Sequence, residues 1–188
     1  MGTTPTVDDL ERRPLYRTEY EALGRQGAFE DEKVELLDGQ IVYAAEEGPP
    51  HAEVCSRLTR ILVEGIPADE GTVRVGNPFA LSDLSEPEPD LLVAPPTPAT
   101  YRAGHPTVAS LVIEVAHTSR DRDLELKAGL YAAGGVPDYW VVDLVRRELV
   151  VHRDPAGSAY RSVTRHRDDT VRPLEHPQVA IDVAELLA

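Results

Sequence analysis

Three charges in this chain stand where charge is expensive. Asp90 opens the apolar run Leu91-Leu92-Val93-Ala94, and Glu114 interrupts Leu111-Val112-Ile113 and Val115-Ala116. The second run is apolar on both faces, the pattern of a strand covered on both sides. Lys127 falls near the centre of the arc that Leu124, Leu126, Ala128, Leu130, Tyr131 and Ala133 sweep at about 100° per residue. A buried carboxylate or ammonium is costly unless it is paired or binds a metal. Two carboxylates at the ends of neighbouring strands can share a hard divalent ion such as Mg2+ or Mn2+, which prefers oxygen ligands. The Val115 carbonyl could add a main-chain ligand. Such an ion lowers the pKa of a bound water and offsets phosphate charge, and a lysine beside it orients that water or stabilises developing negative charge. The same residues also admit a plainer reading. Lys127 could simply pair with Glu114 or with Asp123, one turn earlier, and Asp90 could be a solvated strand end.

The elements that must hold these residues can be read from periodicity and turn residues. Thr18-Glu19-Tyr20-Glu21 has capping-box spacing and predicts a short helix ending near Gly24 or Gly27. Lys33–Leu37, Asp38-Gly39 and Gln40–Ala45 form a hairpin signal. Its alternation places Glu35 on the exposed face of an edge strand. Glu46–Pro50 reads as a loop. Val54, Leu58, Ile61 and Leu62 have helical spacing, so His51–Ile66 should be an amphipathic helix. His51 at its start reads as a surface or capping residue. Two short strands, Thr72–Val75 and Phe79–Ser82, should follow, and prolines force an extended entry into the Asp90 strand. Pro95–Pro106 reads as a Pro-rich loop. The Glu114 strand, the Lys127 helix ending at Gly134-Gly135, and a buried strand Val136–Asp143 come next. A turn at Leu144–Arg147 leads to a meander, Glu148–His152 and Tyr160–His166. Val179–Ile181 and Val183–Leu187 close the chain as a strand and a helix. Tyr139 and Trp140 read as core. The fold class is α+β, a mixed sheet with helices packed on it, with residues 1–15 a loose arm and 16–188 one domain.

Net charge is −14, and it is uneven. Residues 1–94 hold 8 Lys/Arg against 20 Asp/Glu, while residues 95–188 hold 11 against 13. Such a chain is no generic polyanion binder. The arginines from Arg146 to Arg172 are the best candidates for contacting phosphates, or else a solvated sheet face. Cys55 is the only cysteine, so no disulfide framework and no Cys-type zinc site is expected, which suits a reducing cytoplasm. No segment reads as a membrane span or signal peptide.

Pro89-Asp90, Ile113-Glu114-Val115 and the downstream Lys127 resemble the PD-(D/E)XK nuclease superfamily, with its restriction-endonuclease-like fold. More closely, the chain is similar to the Uma-two group of restriction-endonuclease-like proteins. The likeness runs through VELLDGQIV at Val34–Val42, His51, PDLLV at Pro89–Val93 and LVIEVAHTSRDRDLELKAGLYAAGGVPDYWVVD at Leu111–Asp143. The resemblance implies Asp90 and Glu114 as metal ligands, Lys127 as the catalytic lysine, Glu35 and His51 near the same cleft, Mg2+ or Mn2+ as cofactor, DNA as partner, and a homodimer. The chain departs from the pattern twice. The superfamily's usual lysine position, two residues after the strand acid, is Ala116, so the lysine must have migrated to the helix at Lys127. Related chains also read like Ser-Pro-Ser-Thr after the strand, whereas here it is Ala116-His117-Thr118-Ser119. Three readings follow: a metal-dependent DNA endonuclease, a non-cleaving nucleic-acid-binding or regulatory module on the same fold, and a metal hydrolase of small phosphate esters.

Overall fold

The computed structural model describes residues 12–44, 47–96 and 100–188. The expected hairpin end at Ala45, part of the Glu46–Pro50 loop, part of the Pro-rich loop and most of the N-terminal arm lie outside these residues. Residues 13–15 are tied to the domain. The Leu15 N–H donates to the Gly39 carbonyl at 2.9 Å, and Arg13 pairs with Glu19 at 2.5 Å.

The core is a mixed six-stranded sheet in the order β3-β4-β5-β6-β7-β8. Its strands are β3 (Thr72–Val75), β4 (Leu91–Ala94), β5 (Leu111–Ala116), β6 (Asp138–Asp143), β7 (Glu148–Ala156) and β8 (Ala159–His166). Only β5 and β6 pair in parallel, with Val112 opposite Tyr139 and Ala116 opposite Asp143. That pairing requires a crossover. The chain supplies one through a π-helical turn, Arg122–Lys127, running into α3 (Ala128–Ala133). The alternation of side chains gives the sheet two cores. Leu91, Val93, Leu111, Ile113 and Val115 face α2 (Pro49–Gly65) and α4 (Val183–Leu186) through Val54, Leu58, Leu62 and Leu186. Leu92, Val112, Ala116, Tyr139 and Val141 face Ala128 and Tyr131 of α3. Glu114, between Val112 and Ala116, therefore aims at α3.

A separate hairpin, β1 (Val34–Leu37) and β2 (Gln40–Tyr43), closes through Asp38 and Gly39 at φ 49° and 74°. Positive φ at both central residues is the turn whose twist suits a hairpin, and glycine adopts it without strain. The hairpin is joined to the long segment before β4 by a bridge between Leu36 and Glu86. The first helix, α1 (Arg17–Arg25), is capped two residues earlier than the Thr18–Glu21 spacing predicts. Glu19 Oε2 accepts from the Tyr16 N–H at 3.0 Å. α2 starts at Pro49, inside the expected loop, because proline suits the first turn where its missing N–H has no partner.

Phe79–Ser82 is not a strand. The Phe79 and Ala80 N–H groups go to the carbonyls of Pro87 and Pro106, both at 2.9 Å, so no ladder forms. A short pair, β9 (Thr170–Val171) with β10 (Ile181–Asp182), precedes α4, and its first strand escapes the periodicity. The Lys127 helix also differs from the uniform 100° wheel. Asp123, Lys127, Ala128, Tyr131 and Ala132 are its buried residues, while Leu126 is 46% exposed. The wider π turn shifts the inward face by part of a turn, placing Asp123, Lys127 and Tyr131 at successive four-residue steps.

Candidate active site

The five side chains picked out by the sequence line one cleft. Asp90 stands just before β4, one step beyond the last β4–β5 pair, Leu91 with Ile113. That step puts it across from Glu114. Its Oδ2 accepts the Val115 N–H at 2.6 Å, and its Oδ1 lies 3.1 Å from His51 Nε2. The first of these fastens the carboxylate to the backbone of the strand that carries Glu114. His51 sits in the first turn of α2 and is buried, so it is neither a surface residue nor a free cap. Burial pulls its pKa down, but the hydrogen bond to Asp90 and the charges of Asp90 and Glu47 outweigh that and raise it.

Lys127 is fully enclosed, 2% exposed. Its Nζ lies 3.0 Å from Glu114 Oε1 and 3.0 Å from Glu35 Oε2. The expected Glu114–Lys127 ion pair is therefore formed, and Glu35 is its third member. Glu35 is 3% exposed, not on an open strand face. The two-stranded hairpin folds over the start of the α3 crossover, and this burial depends on a contact with a residue 92 positions away. Burial drives the Lys127 pKa down, but the carboxylates of Glu114, Glu35 and Asp123 together raise it, so the ammonium keeps its charge. Burial pushes Glu114 up to about 8. Lys127 opposes this, while Asp123, Asp90 and Glu35 add to it. The Tyr131 hydroxyl donates to Glu114 Oε1 at 2.8 Å, the same oxygen Lys127 reaches, which leaves Oε2 free to carry the proton.

Asp123, Tyr131 and Glu88 also belong to this site. Asp123 and Glu88 line the cleft with Glu47, His117 and Ser119. Asp123 accepts from the Ser119 hydroxyl, yet its Oδ1 is buried with no hydrogen-bond partner among the described residues. Burial raises the pKa of Asp123, and burial together with Glu35 raises that of Glu88. The signal for Asp123 was its four-residue spacing to Lys127. Nothing in the local pattern marks Glu88, which lies between prolines. The space the cleft encloses is about 30 Å3, room for a few waters or one small hydrated ion.

This chemistry fits a hard divalent cation. Carboxylates outnumber cationic groups around the space, the buried Asp123 Oδ1 has no hydrogen-bond partner among the described residues, and Glu114 is held toward neutrality chiefly by burial, with the neighbouring acids adding to it. An oxygen-binding ion would relieve all three.

The basic half has a different fate. Arg153 pairs with Asp138 at 2.8 Å, Arg161 with Asp154 at 3.5 Å, and Arg165 and Arg167 both reach the buried Glu148. Arg146 and Arg147 stand exposed in the β6–β7 turn, at the sheet end where β5 runs into the cleft-lining 117–119 turn.

Among the described residues no helix is long and apolar enough to cross a membrane. The chain is similar to a crystal structure titled a putative nuclease belonging to DUF820 from Anabaena variabilis ATCC 29413. The TM-score is 0.71 at 15% identity, covering 93% of this chain and 98% of that one. At that identity the likeness carries the fold, a restriction-endonuclease-like α+β architecture. No curated protein matches. The family described as "Uma2: Putative restriction endonuclease" matches residues 17–184. With nine-tenths of its length matched to that description, the chain belongs to the Uma2 family.

Proposed function

We propose that this protein is a metal-dependent endonuclease that hydrolyses DNA phosphodiester bonds. The observation that supports it best is the enclosed Lys127 ammonium held between Glu35 and Glu114, with Asp90 across from Glu114 on the paired strand. Asp90, Glu114 and the Val115 carbonyl are the groups that would hold Mg2+ or Mn2+. Bound there, the ion supplies a water of lowered pKa and offsets the charge of an attacked phosphate. Lys127 does the chain's own part. Its charge is fixed by two acids, and its three N–H donors suit a developing phosphorane oxygen or the attacking water. Glu35 and Tyr131 keep that ammonium and the Glu114 carboxyl in place, and His51 orients Asp90. Phosphoryl transfer depends mainly on such positioning and charge stabilisation.

The test is cleavage of plasmid DNA with Mg2+ or Mn2+ by wild type, Glu114→Ala and Lys127→Ala. Metal-supported cleavage lost in both variants supports the reading. Equal activity in all three overturns it.

A second reading, hydrolysis of a small phosphate ester, is favoured by the acidic rim of Glu47 and Glu88 around a narrow cleft. A salt titration separates the two, since duplex binding weakens steeply with salt and nucleotide binding much less. With the endonuclease reading goes a cytoplasmic protein acting as a pair of copies, which sedimentation on and off DNA would test.

A further inference from the structure

The sole cysteine lies against the active-site wall, and the endonuclease reading gives it no task. Cys55 follows His51 by four residues on α2, so both project from the same helical face. Its Sγ is 3.6 Å from His51 Nδ1 and 3.9 Å from Nε2. His51 Nε2 is in turn 3.1 Å from Asp90 Oδ1, and one donor atom from each of the three residues lies within 4.8 Å of the others. Ligands on a tetrahedral zinc ion, at their ordinary bond lengths, stand roughly 3.4–3.6 Å apart. The His51–Asp90 and His51–Cys55 spacings bracket that range and the Cys55–Asp90 spacing is within 4.8 Å, so a modest side-chain adjustment would close three corners of a tetrahedron. Water would take the fourth.

From this geometry we infer that His51, Cys55 and Asp90 form a zinc-class metal site distinct in ligand chemistry from the oxygen-lined pocket of Glu114 and Lys127. A thiolate and an imidazole select zinc or cobalt over magnesium, because the softer donors suit borderline metals and magnesium keeps to oxygen. The two sites share Asp90. Zinc on the α2 side engages the carboxylate needed on the β5 side, so zinc would inhibit magnesium-supported cleavage. That consequence, unlike the site itself, rests on the proposed endonuclease activity. Binding exchanges the thiol proton for the ion, and the proton leaves to solvent.

The probe is Co2+, added to the reduced full-length protein under anaerobic conditions. The expected result is one cobalt per chain with an intense thiolate-to-cobalt charge-transfer absorption, displaced by one equivalent of Zn2+. Because the chain has a single cysteine, any such band must come from Cys55. Wild type therefore decides the matter even if a variant fails to fold. Cys55→Ser should lose the band and bind Zn2+ at least about tenfold more weakly, since even outer-sphere changes cost that much. Cobalt binding without the band, or unchanged zinc affinity in a folded Cys55→Ser protein, overturns the site. Zinc should slow Mg2+-supported cleavage by wild type at least about tenfold, and a chelator should restore it. A band without this inhibition, in protein that does cleave, overturns the shared role of Asp90. A band in protein that never cleaves leaves the metal site standing and removes the nuclease reading instead.

Discussion

Lys127 Nζ lies 3.0 Å from Glu35 Oε2, so a buried ion pair ties the first hairpin to the helix that follows the central strand. The hairpin is no part of the six-stranded sheet, so it is held over the cleft by contacts such as this one, the Leu36–Glu86 bridge and the Arg122 hydrogen bond to the Tyr43 carbonyl. Removing one partner of a buried pair leaves an uncompensated charge and costs about 3–5 kcal/mol. Lys127→Met should therefore destabilise the protein by roughly that amount near neutral pH. The loss should be largest above about pH 8 and shrink as pH falls through that value, where Glu114 takes up its proton. Urea denaturation at two pH values checks this, and a pH-independent loss would contradict it.

Glu114→Gln should separate folding from chemistry. Burial already pushes the Glu114 carboxyl up to about 8, so the amide resembles the form that predominates at pH 7. Stability should change by less than about 1 kcal/mol, while metal-supported cleavage falls by about 100-fold or more. A melting curve and a rate on the same preparation suffice.

Metal binding should release protons. A cation needs the ionised carboxylate, and the free site holds Glu114 protonated below about 8. Affinity for Mn2+ should therefore rise with pH and level off near that value, by at most about tenfold per pH unit. Calorimetry in buffers of different ionisation enthalpy measures the released proton directly. Buffer-independent heats would contradict the prediction.

His152 should make the fold acid-sensitive. It lies 5.3 Å from the Tyr139 ring and 5.6 Å from the Tyr160 ring, and its Nδ1 has no hydrogen-bond partner among the described residues. Burial lowers its pKa from 6.5 to about 4. The unfolded chain therefore binds the proton first. Stability from the neutral ring is fully present above about pH 6.5 and is lost as pH falls toward about 4, by at most roughly 3 kcal/mol. Glu86, pushed up to about 7 chiefly by burial and Glu21, acts in the opposite direction, its stability being lost as pH rises. The useful quantity is thus the difference between wild type and His152→Leu across that acid range. A difference that does not vary with pH would refute the assignment.

Arg146 and Arg147 are the arginines to test for contact with a nucleic-acid backbone. Most of the other arginines in that half are engaged with acids of the protein itself. Changing both to alanine should flatten the dependence of log affinity on log salt by about 1 for each phosphate no longer neutralised. It should leave hydrolysis of a small phosphate ester unchanged. An unaltered slope would mean that the phosphates are met elsewhere on the surface.

The parts of this fold written in local pattern were legible in the sequence. The Asp38-Gly39 hairpin, the α2 stripe, the doubly apolar β5 and β6 strands and the Gly134-Gly135 stop all follow from turn chemistry and periodicity. Glu35 did not, because alternation tells which residues share a face but not what covers that face. The π turn did not either. A fixed 100° wheel puts Leu126 in the apolar arc, and only the observed widening turns it out to solvent while keeping Lys127 inside. Asp123 showed its spacing but not its destination, since Ser119 takes it where an ion pair with Lys127 was the alternative.

Ala116 closes the central strand with no exposure at all, packed in the same cluster as Ala128 and Tyr131. Carrying the lysine on the crossover leaves that strand position small, and the helix can settle directly onto the sheet. The two addresses are consequently not interchangeable. Restoring a lysine at Ala116 while deleting the one at Lys127 would drive a long cation into a filled interface and unseat the very helix whose approach shapes the cleft.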